Sequence, residues 1–229
     1  MGVELNPYCW RWLLPIGLTS ILVVAYGGTG PGASPQPGAG TTPLTILHFN
    51  DFHGSLATAN PDTLSFFGTL EEERQSAGEG STLVLASGDL IGASRFPSFI
   101  QGDVPTLKIL NLMDLDASAV GNHEFDKGYT DLVGRVIPNA AFPYLAANVY
   151  HQGTMQPVLP AYASFHRAGV RVGVIGAVTG GVPSLVSPAG IAMLDFGDPV
   201  MAVNRVTAQL TNGLEANGEA DIIIAAYHE

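Results

Sequence analysis

From Leu44 onward, short runs of apolar residues alternate with longer stretches in which apolar residues recur every three or four positions. The runs at 44–49, 82–86, 117–120, 170–178 and 222–226 predict strands. They are almost continuous in hydrophobicity, as strands buried on both faces should be. Between them lie helical patterns with start signals. Asp198-Pro199 offers a capping side chain and a first-turn proline ahead of Val200, Val203, Val206, Leu210 and Leu214, with Gly218 as the stop. Asp103 with Pro105 opens a helix carrying Leu107, Leu110 and Leu115, and a further helix is predicted over 64–77, ending at Gly78. Strands alternating with helices predict a layered α/β fold, and no internal repeat interrupts the pattern.

The N-terminal stretch follows a different rule. Arg11 precedes an apolar run over 12–26 that is too short to span a bilayer comfortably and is interrupted by Pro15 and Gly17. Ala25 and Gly27 supply small residues for cleavage, and a Gly/Pro-rich spacer over 28–43 follows. The expected organisation is a signal peptide or N-terminal anchor at 1–27, a linker at 28–43 and a catalytic portion at 44–229; a buried helix is the third reading of the apolar run. The first two imply an exported protein, periplasmic, cell-surface or extracellular, with membrane attachment where the run stays uncleaved. Its n-region is weak for a signal, with one Arg and an intervening Glu4.

Composition narrows the classes further. With 229 residues, 46% hydrophobic and 13% charged, the chain can bury a sizeable core, which argues against disorder throughout. A net charge of −11 offers no basic stripe for a nucleic-acid polymer, so a phosphate-bearing ligand needs a local positive charge such as bound metal. The lone Cys9 cannot form an intrachain disulfide and says little about redox compartment.

In open α/β sheets ligands bind beyond the carboxyl ends of the strands. The first predicted strand runs into NDFHG, where Asp51 and His53 point the same way if the chain stays extended. The second delivers Asp89 in SGDLIG, the third Asn122, His123 and Asp126 in GNHEFDKG, and the last His228. Oxygen and imidazole donors without thiolate suit Zn, Mn, Mg, Fe or Co. A shared aspartate can bridge two ions, and two ions about 3.5–4 Å apart clamp a phosphoryl group for in-line displacement. Each residue also has an ordinary reading: Asp89 as a turn residue, Asn122 and Asp126 as helix caps, His123 as a solvated loop residue, His228 as a frayed strand end. His48 reads as a satisfied near-core residue, His151 and His166 as surface residues, Glu124 as structural support, and the GGVPS stretch as a turn.

ILHFNDFHG, SGDLIGAS, GNHEFDKG and FPYLAANV, in that order and with Asp51, Asp89 and Asn122 spaced 38 and 33 apart, resemble the calcineurin-like metallophosphoesterases. The branch they resemble is the secreted 5′-nucleotidases, bacterial UDP-sugar hydrolase included, and the resemblance covers residues 44–229. It implies an α-β-β-α sandwich and two divalent ions. Asp51 and His53 would bind the first, Asn122 and His228 the second, and Asp89 both. His123 would stabilise the transition state, Asp126 would orient it, and Asn122 and His123 would contact substrate.

The implied substrates are small nucleotides or nucleotide sugars, hydrolysed by metal-activated water, although related branches cleave other esters with the same cradle. The resemblance also implies a Gly-His-X-His segment after His228 and a C-terminal nucleotide-binding domain, neither of which is in these residues, so the sandwich is expected to be incomplete at its C-terminus. The rival expectation is a truncated, non-catalytic metal- or nucleotide-binding fragment. An unfinished sheet edge would favour aggregation.

Overall fold

The computed structural model describes residues 21–25, 43–56 and 61–229; the remainder of the expected leader and linker lies outside them. Ten strands are present among the described residues: β1 (Ile21–Ala25), β2 (Pro43–Phe49), β3 (Thr82–Ala86), β4 (Ala117–Ala119), β5 (Tyr144–Leu145), β6 (Val149–His151), β7 (Tyr162–Arg167), β8 (Val170–Val178), β9 (Leu194–Phe196) and β10 (Ile222–His228). The longer helices are α1 (Pro61–Ala77), α2 (Val104–Leu112) and α3 (Pro199–Leu210).

One sheet has the order β1-β2-β3-β4-β5, with β2 to β5 parallel and β1 antiparallel to β2. The other has the order β10-β8-β7, with β10 parallel to β8. Strands β6 and β9 form a separate antiparallel pair.

Side-chain alternation explains the layering. Leu44 and Ile46 of β2 pack with Leu83, Leu85, Ala117 and Leu145 against Val172, Val174 and Ala226 of the second sheet. Leu47 and Phe49, one residue out of phase, face the opposite way and pack with Leu70 of α1 and with Leu107 and Leu110 of α2. On the outer face of the second sheet, Ile175 meets Ala202, Val206 and Leu210 of α3. The order is helix, sheet, sheet, helix, the four-layer sandwich that the resemblance implied.

Several boundaries differ from expectation. Helix α3 starts as predicted, Asp198 Oδ1 accepting from the Met201 amide at 2.9 Å, but stops at Leu210. The Leu210 carbonyl is taken by the Ala220 amide at 2.8 Å, which turns the chain into β10 and leaves Leu214 exposed. Asp103 precedes α2 without capping it, its carboxylate instead accepting from Ser98 Oγ at 2.7 Å. Strand β10 continues to His228 and is only half-buried over Ile222–Ile224, as suits a sheet edge. Strands β5, β6, β7 and β9 are additional, and β1 gives part of the apolar N-terminal run an extended rather than helical form. No helix among the described residues is long and apolar enough to cross a membrane.

Candidate metal centre

The carboxyl ends of β2, β3, β4 and β10 lead into one cleft, and every candidate residue from the sequence except Asp126, one turn further on, stands at the first residues beyond or at those ends. Asp51 and His53 arrive there by a route different from the extended segment expected. Their φ values are +55° and +45°, and Asp89 is also left-handed at +53°. Non-glycine residues visit this region at a cost and persist there when the surroundings hold them. Here the two loops zip together beyond the strands: Asp51 N donates to Gly88 O (3.2 Å), His53 N to Asp89 O (3.0 Å) and Gly54 N to Leu90 O (3.0 Å).

The neighbouring β4 loop comes equally close. A Cβ on Gly121 would lie 2.1 Å from Asp89 Oδ1, and one on Gly88, at φ +89°, would lie 2.3 Å from Gly121 N. Gly88→Ala is therefore expected to destabilise the fold by about 1–3 kcal/mol, the usual cost of forcing atoms into a packed interior. Urea unfolding in a chelator checks this; an unchanged midpoint would contradict the close approach.

Two imidazoles are fixed by backbone carbonyls. His228, 5% exposed, hydrogen-bonds through Nδ1 to the Ser87 carbonyl at 2.8 Å. A carbonyl can only accept, so Nδ1 carries a proton, and the neutral ring presents the Nε2 lone pair to Asp89 Oδ2 (3.2 Å) and Asn122 Oδ1 (3.3 Å). His53 repeats the arrangement. Its Nδ1 donates to Gly92 O (2.9 Å), and Nε2 looks at Asp51 Oδ1 (3.4 Å) and Asp89 Oδ2 (3.7 Å). Two groups of three acceptors therefore face inward and share Asp89, which is 3% exposed. Acceptors cannot satisfy one another, so each group calls for a proton or a cation. Imidazoles oriented by a backbone carbonyl are the usual metal-ligand arrangement.

Without cations, protons take up part of this demand. Burial disfavours the His228 cation, but the hydrogen bond and charge of Asp89 outweigh it and raise the imidazole to about 9. Burial would raise the Asp89 carboxyl, but His228 outweighs that and holds it below the ordinary aspartate value.

His123 is differently placed. Its Nδ1 meets Asp126 Oδ2 at 2.8 Å and its ring stands edge-on to His53 with centroids 5.0 Å apart. Burial lowers its proton affinity, yet the Asp126 hydrogen bond and the surrounding carboxylates make the net shift upward. A ligating atom of His123 also lies within 4.8 Å of donors from His53 and Asp89, as those of Asp51, Asp89 and His228 lie within that distance of one another. Asp126 does not cap the next helix, whose N-cap is Gly128, nor does the Asn122 side chain make a capping bond. His48 Nε2 bonds Ser87 Oγ at 2.7 Å, while His151 and His166 are exposed.

The residue whose importance the sequence understated is Glu124. It is 2% exposed and its carboxylate accepts backbone hydrogen bonds from Gly121, Asp89 and Leu90. Its flanking residues, His123 and Phe125, give no local sign of this role.

The sequence pattern of the calcineurin-like phosphoesterases matches residues 44–229. The chain belongs to this family. Among curated relatives, a 5′-nucleotidase of Vibrio parahaemolyticus is 31% identical over 95% of the chain and 39% of its own length. Endonuclease YhcR of Bacillus subtilis is 32% identical over 73% of the chain and 16% of its own. The phosphoesterase chain thus spans well under half the length of these relatives. A putative 5′-nucleotidase structure from Staphylococcus aureus superposes with a TM-score of 0.66 over 80% of this chain and 36% of that one, at 23% identity, a likeness of fold.

Proposed function

We propose that this chain carries the cation-binding and reactive part of a metal-dependent phosphoester hydrolase of 5′-nucleotidase type. The observation that carries the reading is the pair of acceptor-only clusters meeting at Asp89. Divalent cations bound there supply Lewis acidity, a nucleophilic water at neutral pH and a clamp for phosphoryl oxygens. Asp51 and His53 would hold one cation, Asn122 and His228 the other, and Asp89 both, each set leaving room for water or substrate. His123, held by Asp126, would point its Nε2–H at a phosphoryl or leaving-group oxygen, where a fixed donor stabilises developing charge. Asn122 and His123 together would orient the substrate. Zn, Mn, Mg, Fe and Co all suit the donors.

Small nucleotides are the favoured substrates, supported by the name of the Vibrio relative and by a net charge of −11, which repels polyanions. The Bacillus relative named an endonuclease supports a second reading, hydrolysis of nucleic-acid phosphodiesters. Export through the apolar N-terminal segment, with anchoring where it stays attached, belongs to the same proposal.

The test is phosphate release from AMP beside cleavage of single-stranded DNA, each with added Mn²⁺ or Zn²⁺. The proposal expects cation-dependent phosphate release from AMP, abolished by chelator. Cleavage of DNA without AMP turnover would favour the second reading, and turnover of neither would favour a non-catalytic binding fragment.

A further inference from the structure

Two of the three loops that build the cradle carry left-handed backbone, at Asp51 and His53 after β2 and at Asp89 after β3, residue types that tolerate that shape without fixing how the loops are spaced. Glu124 is the group that holds the β3 loop to the β4 loop. Its Oε2 accepts from the Asp89 amide at 2.9 Å and from the Gly121 amide at 2.6 Å, and its Oε1 accepts from the Leu90 amide at 2.9 Å, with the Ile91 amide at 3.5 Å. A single carboxylate therefore spans the β3 loop and the β4 loop. The clasp is reciprocal: Asp89 Oδ1 accepts from the His123 amide at 2.9 Å, one residue before Glu124. That bond also leaves Asp89 Oδ2 as the oxygen facing His53 and His228.

Gly121 precedes Asn122, so whatever fixes the Gly121 amide against the Asp89 amide fixes the separation of their side chains. The glycine contacts of Gly88 and Gly121 permit this approach but do not enforce it. An acceptor-only group with both oxygens occupied does enforce it.

We propose that Glu124 is a positioning residue that sets the spacing of the two cation positions by binding the β3 and β4 loops together, touching neither cation nor substrate. This rests on the two-cation reading above.

The informative variant is Glu124→Gln. It keeps the volume but turns an amide donor toward backbone donors, so at least one bond between the loops becomes a repulsion. Chelated wild type and Glu124→Gln are each titrated with Mn²⁺ and followed by calorimetry and electron paramagnetic resonance, with near-UV circular dichroism establishing the folded fraction.

Wild type is expected to bind two ions and to show a spin-coupled pair. Per folded molecule, Glu124→Gln is expected to bind the second ion about 10–100-fold more weakly, the usual cost of losing a group that supports metal ligands, and to lose or alter the coupled spectrum. A residue that only stabilised the fold would lower the unfolding midpoint and leave both unchanged, and that result overturns the proposal. Where Glu124→Gln does not fold, Glu124→Asp, an anion one methylene shorter, is expected to weaken the second ion in the same direction; unchanged affinity and coupling there overturn it equally.

Failure of wild type to take up a second Mn²⁺ would strike at the two-cation reading instead. Amide hydrogen exchange in the wild-type chain then decides the clasp, as it does if neither variant folds. Slow exchange at Asp89, Leu90 and Gly121 supports it, and free exchange at these three overturns it.

Discussion

Asp89→Asn is expected to lower kcat/KM for phosphate release by about 10³-fold or more, because the shared oxygen is the only atom that both acceptor clusters have in common. Asp89 Oδ2 stands 3.2 Å from His228 Nε2 and 3.7 Å from His53 Nε2, and its charge would make the two adjacent cations proposed here tolerable. Cation binding of this kind is worth several kcal/mol of transition-state stabilisation, and each 1.36 kcal/mol is a factor of ten in rate. The asparagine keeps the volume and can still accept from the His123 amide through Oδ1, so the fold should survive. Steady-state phosphate release at saturating Mn²⁺, with bound metal counted in the same samples, checks the expectation. Activity within a few-fold of wild type would remove Asp89 from its assigned place.

His123→Ala is expected to behave differently: kcat should fall by about 10²–10⁴-fold, the range for losing a positioned proton donor, while the number of bound cations stays near wild type. The distinction matters because a ring nitrogen of His123 lies close enough to His53 and Asp89 to be a ligand in its own right. Its Nδ1 is already engaged by Asp126, whose carboxylate favours the protonated ring, and a protonated ring donates to oxygen rather than to metal. Counting cations per folded chain alongside kcat separates the two. Loss of a cation in the variant would make His123 a ligand, and the role of proton donor would have to be sought elsewhere.

How far the sequence could be read followed from which physical signals are local. Buried parallel strands advertise themselves through continuous apolar runs, so β2, β3 and β8 stand where the pattern predicts, and the polar residues beyond them are conspicuous by contrast. That contrast makes Asp51, His53, Asp89, Asn122 and His228 legible as one cluster from the order of residues alone. What pattern cannot carry is backbone shape. Asp51 and His53 reach the cleft through left-handed turns stitched to the β3 loop, where an extended segment was expected. Strands β5 and β6 are too short, at two and three residues, to show any period, and β7 is half-buried and interrupted by exposed Ser164 and His166. The end of α3 depended on Ala220 claiming the Leu210 carbonyl, a contact ten residues downstream. Glu124 was expected as structural support, but its backbone partners on the β3 loop lie far from it in sequence, and such long-range bonds leave no trace in the local pattern.

Anomalous diffraction from crystals of the chain equilibrated with Mn²⁺ decides whether two cations share Asp89. Two anomalous peaks flanking the Asp89 carboxylate are expected, one beside Asp51 and His53 and the other beside Asn122 and His228. A cleft that stays free of anomalous density at saturating Mn²⁺, or a single peak held by residues other than these, would contradict a shared Asp89.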